Sequence, residues 1–177
     1  PRSTPLYSSA ASEVYKRQVS LLASYASQKE PKILFEECRQ LKKLILNKVD
    51  SVRFNYGLLS ASTGYSTLLD QEIQTDFSMG YIEEVGYRAS TAVPFYFYDL
   101  NNDIQTPLKI YPVVAEDQGL RKFSTQKAFK KLEDLYQNLP TRSAFHSVSF
   151  SNATLNPREM KNLWRDQFIN YLRYHAK

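Results

Sequence analysis

Between Glu30 and Asn47 the apolar residues Ile33, Leu34, Cys38, Leu41, Leu44 and Ile45 return every three or four positions. A helix of 3.6 residues per turn places such a set on one face. Pro31 stands where the first turn tolerates a missing N–H, so the pattern predicts an amphipathic helix over 30–47. The apolar runs then shorten. Ser51 to Tyr56 reads as a strand, Tyr65, Leu68, Leu69 and Ile73 as a helical turn or two, and Asp76 to Gly80 as a strand running into a turn. From Thr91 to Leu100 the chain is rich in β-favouring aromatics, and Pro94 limits that run to a strand start, a bulge or an edge. Asn101, Asn102 and Asp103 supply turn chemistry. Leu108 to Ala115 follows as a strand with Ile110, Val113 and Val114 as its buried members.

From about Ser124 a helical face carries Phe129, Leu132, Leu135, Tyr136 and Leu139, and Pro140 marks its stop. Phe145 to Phe150 is β-favouring. A last helix is predicted with Asn156 as N-cap, Pro157 at the first helical position and Glu159 completing a capping box, followed by Leu163, Trp164, Phe168, Tyr171 and Leu172. Strands alternating with helices imply an α/β architecture, layered or barrel-like, with parallel pairing. No internal repeat and no low-complexity tract interrupts it.

Composition narrows the function classes. Of 177 residues, 42% are hydrophobic and 23% charged, the balance of a globular domain, and the chain, which opens on Pro1 without an initiator Met, is expected to be a partial domain over 1–177 whose N-terminal part is missing. Its 13 Tyr and 10 Phe suit sugar or peptide recognition, although core packing is the commoner use of any single ring. The net charge of +5 is scattered over helix faces with no dense basic run, so no nucleic-acid interface is expected. Cys38 stands alone and can form neither an internal disulfide nor a cysteine zinc cluster; it is expected as a small buried apolar residue. No stretch approaches the roughly 18 apolar residues of a membrane span, and no signal peptide is visible. That leaves the compartment open, with the cytoplasm favoured.

Two segments carry a resemblance. Asp76 to Tyr81 reads DFSMGY, and Gly86 to Leu100 reads GYRASTAVPFYFYDL. Together they resemble a bacterial branch of the polysaccharide deacetylases, in which a D-Y-S-M-G-Y strand leads to G-F-R-A-G-T and P-F-Y-F-Y-D-L. Leu108 to Pro112 is similar to the next strand of that branch, and Asn152 to Trp164 to its last strand-to-helix passage. The resemblance implies the second half of an incomplete, distorted (β/α) barrel. It also implies metal-assisted hydrolysis of an N-acetyl group, with a zinc-type ion held by one Asp and two His, an Asp base and a late His acid.

At the matching imidazole positions this chain differs. Thr4 stands where the resemblance places the first metal His, Asn55 replaces the His of an R-Q-H-Y passage that Arg53 and Tyr56 keep, and Ser151 occupies the late His position beside a retained Asn152. Neither hydroxyl nor amide replaces imidazole as a zinc ligand or as an acid near neutral pH. The expectation is therefore a catalytically impaired relative without a metal or other cofactor, binding carbohydrate or a protein partner. The alternatives are a working zinc deacetylase completed by residues preceding this chain, and a purely structural or interaction module.

The candidate cleft residues are Arg53, Tyr56, Asp76, Arg88, Tyr96, Tyr98 and Asn152. Arg53, Asp76 and Arg88 are expected to converge at the C-terminal ends of adjacent strands. Arg88 has a second reading, in which it pairs with Asp76 or Asp99 to hold a turn. The two histidines, His146 at a strand start and His175 at a helix end, are expected in structural or surface roles.

Overall fold

The computed structural model describes residues 19–45, 48–57, 60, 63–140, 143–156, 158 and 162–175. Thr4 lies outside them, as do Pro157 and Glu159. Strands β1 (Leu21–Ala23), β2 (Ser51–Phe54), β3 (Thr75–Asp76), β4 (Phe95–Asp99) and β5 (Ile104–Ile110) form one open sheet in the order β1-β2-β3-β5-β4. Helix α1 (Pro31–Ile45) connects β1 to β2, and α2 (Thr63–Asp70) lies between β2 and β3. Connections of this kind let β1, β2, β3 and β5 pair in parallel. Strand β4 turns back antiparallel on β5 and forms an edge, which is where Pro94, immediately before it, costs no ladder bond. A second, two-stranded parallel pair joins β6 (Ala115–Glu116) to β7 (Val148–Ser149), surrounded by α3 (Asp117–Leu120), α4 (Thr125–Gln137) and α5 (Leu163–His175). The fold is thus mixed α/β with a parallel-rich sheet. Among the described residues the strands do not close into a barrel.

Laterally paired residues of a sheet share a face. One such row crosses the whole sheet: Leu21, Val52, Asp76, Ile110 and Phe95. Its apolar members pack with Leu34 and Cys38 of α1 and with Tyr65 and Leu68 of α2 into the first core. Cys38 is a half-buried member of that contact, and Leu44 departs from the sequence pattern by lying 80% exposed. A second core gathers Val114, Ala115, Leu120, Ala128, Phe129 and Leu132, with Phe150, Trp164 and Phe168 packed against it.

Three boundaries differ from the sequence reading. Residues 111–114 are buried as expected at Val113 and Val114 but lie beyond β5: the Tyr111 N–H still reaches the Asp76 carbonyl of β3, Pro112 has none to offer, and those of Val113 and Val114 reach the loop carbonyls of Met79 and Ser147. Ladder pairing in 145–150 is limited to β7. The last helix begins at Leu163, and its cap is Asn162, whose Oδ1 accepts the Arg165 N–H at 3.0 Å. Asn156 uses its side chain one turn earlier, accepting from the Arg158 N–H.

The packing of α3 yields a test. Alanine in place of a helical glycine normally stabilises by about 0.5–1 kcal/mol. At Gly119, however, a Cβ would stand 2.9 Å from the backbone carbon of Glu83 and 3.1 Å from the Glu84 nitrogen. Gly119→Ala is therefore expected to destabilise by about 1–3 kcal/mol, read as a lower urea midpoint with unchanged slope. A gain in stability would show that the 83–84 loop does not press on this helix.

Candidate functional site

The C-terminal ends of parallel strands are where α/β folds present ligand sites, and most of the polar residues of interest gather there. Asp76 ends β3 in the middle of the apolar row and is fully buried. The Ser78 hydroxyl donates to its Oδ1 at 2.5 Å and accepts the Phe54 N–H at 2.8 Å, and the Tyr65 hydroxyl lies 3.5 Å from Oδ2. Burial pushes the Asp76 carboxyl up to about 6, against the lowering effect of the Ser78 and Tyr65 hydrogen bonds and of the Arg53 charge.

Arg53 stands next to Val52 along β2 and so belongs to the opposite face of the pleat. It pairs with Glu116 at the end of β6, Nη2 to Oε1, at 2.5 Å, with both side chains largely buried. Burial raises the Glu116 carboxyl and the neighbouring Asp117 charge adds to the rise, while Arg53 opposes it. Asp117 in turn accepts from the Ser151 N–H at 3.1 Å, from the Ser151 hydroxyl at 2.6 Å and from the Thr154 hydroxyl. Burial pushes this carboxyl up as well, but the Ser151 and Thr154 hydrogen bonds outweigh it and hold it below the ordinary value.

Arg88 is exposed, and its Nη1 donates to the Gly57 carbonyl at 3.1 Å. It therefore holds the loop after β2 rather than Asp76 or Asp99. The Asp99 carboxylate accepts instead from the Asn101 and Asn102 N–H groups and from the Asn102 side chain. Gly57 is required at its position: φ is +54°, and a Cβ would lie 3.2 Å from the Ser78 carbonyl and 3.4 Å from that of Gly80. Beside it Tyr56 also takes a left-handed conformation, φ 60° and ψ 16°, and leaves its ring about half exposed. Asn55 starts this turn, its carbonyl accepting from the Gln28 side chain.

The two β4 tyrosines part along the edge strand: Tyr96 pairs with Lys109 at the end of β5, one position from the row that carries Asp76. Because β4 runs antiparallel, Tyr98 pairs with Gln105 near the start of β5, away from the strand ends that carry Asp76. Tyr96 lies beside Lys109, whose ammonium sits 5.7 Å from its ring centre, and the Tyr98 hydroxyl donates to Asp103 at 2.6 Å. Asn152 is exposed in the turn after β7. The structure thus brings Arg53 to Glu116, Asp76 to Ser78 and Tyr65, and Arg88 to the Tyr56–Gly57 turn, and it leaves Tyr96 and Tyr98 on the edge strand. Sequence reading passed over Glu116 and Asp117, although an acidic pair directly after an apolar strand is a signal for the C-terminal end of that strand.

Two surface cavities, of about 430 and 210 Å³, lie beside α4 and α5 and beside α1, and no candidate cleft residue lines either. Among the described residues no group of three or more His, Cys, Asp or Glu side chains could hold a metal ion. The donor set at Asn55 and Ser151 does not fit the zinc that the resemblance implies. No helix among the described residues is long and apolar enough to cross a membrane. Compared with protein-family models, curated proteins and solved structures, the chain matches none.

Proposed function

We propose that this chain is a catalytically impaired relative of the polysaccharide deacetylases, formed as the second half of their incomplete (β/α) barrel, and that it binds carbohydrate at the strand ends around Tyr56 and Arg88. One observation carries the reading. The polar side chains at those strand ends are committed to one another: Arg53 to Glu116, Asp76 to Ser78, and Ser151, at the late His position, to Asp117. A hydrolase keeps its acid, base and metal ligands available to the substrate. Here a serine hydroxyl bonded to a carboxylate stands in place of an imidazole, and it supplies neither metal coordination nor a proton near neutral pH. The exposed Tyr56 ring and the remaining guanidinium donors of Arg88 suit a sugar face and its oxygens.

The test combines turnover, metal content and binding. A positioned acid is typically worth about 10²–10⁴-fold, and metal activation of water several kcal/mol more. Acetate release from N-acetylated oligosaccharides is therefore expected to stay undetectable with added zinc or cobalt, and dialysed protein should hold no stoichiometric zinc. Oligosaccharide titration should still shift the NMR signals of the Tyr56–Gly57 turn, and Arg88→Ala should weaken that response. Metal-dependent acetate release lost in Arg88→Ala would instead make the enzyme reading the correct one.

A further inference from the structure

Both histidines of the chain meet at one seam, where α5 lies against α4 and the segment entering β7. The His175 Nε2 lies 2.6 Å from Glu133 Oε2, and the Gln137 amide donates to the other Glu133 oxygen at 2.7 Å. His146 Nε2 lies 3.0 Å from the Tyr171 hydroxyl, while its Nδ1 is buried with no hydrogen-bond partner among the described residues. The Tyr136 ring stands between the imidazoles, 4.2 Å from that of His175 and 5.5 Å from that of His146, and Tyr171 packs 4.5 Å from His175. Helix α5 has no fully buried residue. Half-buried aromatics and this polar seam hold it, beside the open groove of about 430 Å³ that Phe129, Glu133, Gln137, Tyr171 and Tyr174 help to line.

We propose that the seam is an acid-operated latch: protonation of His146 releases α5 from α4 and from the segment entering β7, while the five-stranded sheet stays folded. A protonated His146 carries two N–H donors, and Nδ1–H faces no acceptor, which is the costly way to bury a polar group. The titratable groups around it add to that cost. Among the described residues Glu133 of α4 is the carboxylate at the seam; the other titratable side chains there, besides His175, are Tyr136 of α4, Tyr171 of α5 and Tyr87, whose hydroxyl donates to the Phe145 carbonyl next to His146. Lys130 and Tyr174 border the groove. Burial, with the His175 charge adding to it, already holds His146 down at about 4, below its ordinary 6.5. A depressed pKa contributes stability that is present above 6.5 and lost as pH falls through about 4.

Trp164, the only tryptophan, reports on the seam because its ring packs 5.9 Å from Phe129 of α4. Its fluorescence would be followed from pH 7 to 3.5 alongside amide protection of Val52 and Leu108 in the sheet. Emission is expected to change at a higher pH than the one at which sheet protection is lost. His146→Phe keeps a ring and removes the ionisation, and should lower the emission midpoint by about one pH unit or more, the scale of a desolvation shift. Glu133→Gln removes the counterion of His175 and should raise the midpoint toward the ordinary imidazole range, so either variant decides the matter if the other fails to fold. An emission change that coincides with loss of sheet protection in the unaltered protein, or midpoints unmoved by substitution, would overturn the latch.

Discussion

Asp76→Asn is expected to stabilise the protein by roughly 3 kcal/mol at pH 7.5 and to leave its stability nearly unchanged at pH 3.5. The carboxyl sits between Val52 and Ile110 in a row that is otherwise apolar, and it is fully buried. Its rise from the ordinary 3.8 to about 6 corresponds, at about 1.4 kcal/mol per pH unit, to that figure. The sign follows from proton binding. A group whose folded pKa is raised contributes stability that is complete below the unfolded value and is lost as pH rises through the folded one, here between about 4 and 6. Asparagine mimics the neutral acid: its oxygen accepts from Ser78 and its amide can donate to the Tyr65 hydroxyl. Denaturant midpoints of variant and unaltered protein at the two pH values measure the effect. Taking the difference isolates Asp76 from His146, whose lowered pKa acts in the opposite direction over much of the same range. An equal difference at both pH values would mean that Asp76 is not a desolvated acid.

Arg53→Met alone and Glu116→Leu alone should each destabilise the protein by about 3 kcal/mol, whereas the double variant should lose much less. Removing one member of a largely buried ion pair leaves the other charge without compensation, while replacing both by apolar side chains removes the desolvation cost as well. The geometry favours this outcome, since only 17% of the Arg53 side chain and 13% of that of Glu116 are exposed. Burial already raises the Glu116 carboxyl with Arg53 in place, so the Arg53→Met variant should meet its charge by taking up a proton. A double-mutant cycle from urea unfolding measures the coupling. Additive losses would show that the two side chains act separately, and the case for strand-end polar groups locked to one another would weaken with them. Paired with the oligosaccharide titration, the same variants separate support of the fold from contact with a ligand.

The local periodicities were legible because each element buries one face, and burial leaves a mark on every third, fourth or second residue. Helix α1 shows this at Leu34, Cys38 and Leu41, as do α4 at Phe129 and Leu132 and β4 at the alternation of exposed Tyr96 and Tyr98 with inward Phe95 and Phe97. The cap of α5 was misplaced because Asn156 and Asn162 both precede plausible first turns; each side chain accepts a backbone N–H, and only Asn162 does so at the helix start. Residues 111–114 read as strand because burial alone cannot distinguish a ladder from a loop whose amides find partners elsewhere.

By itself the sequence determined the alternation of helix and strand, the parallel-rich α/β class and the restriction of the segment after Pro94 to a strand start, a bulge or an edge, all of which depend on residue type and near neighbours. Tertiary structure alone decided which charges meet. Arg53 and Glu116 are far apart in the chain, as are Asp117 and Ser151, and His146 and Tyr171; each pair forms because strand order and helix packing carry its members to one place. Sheet register likewise put Asp76 inside the apolar row and Arg53 on the other face, a difference of one residue in the pleat that no composition or local pattern encodes.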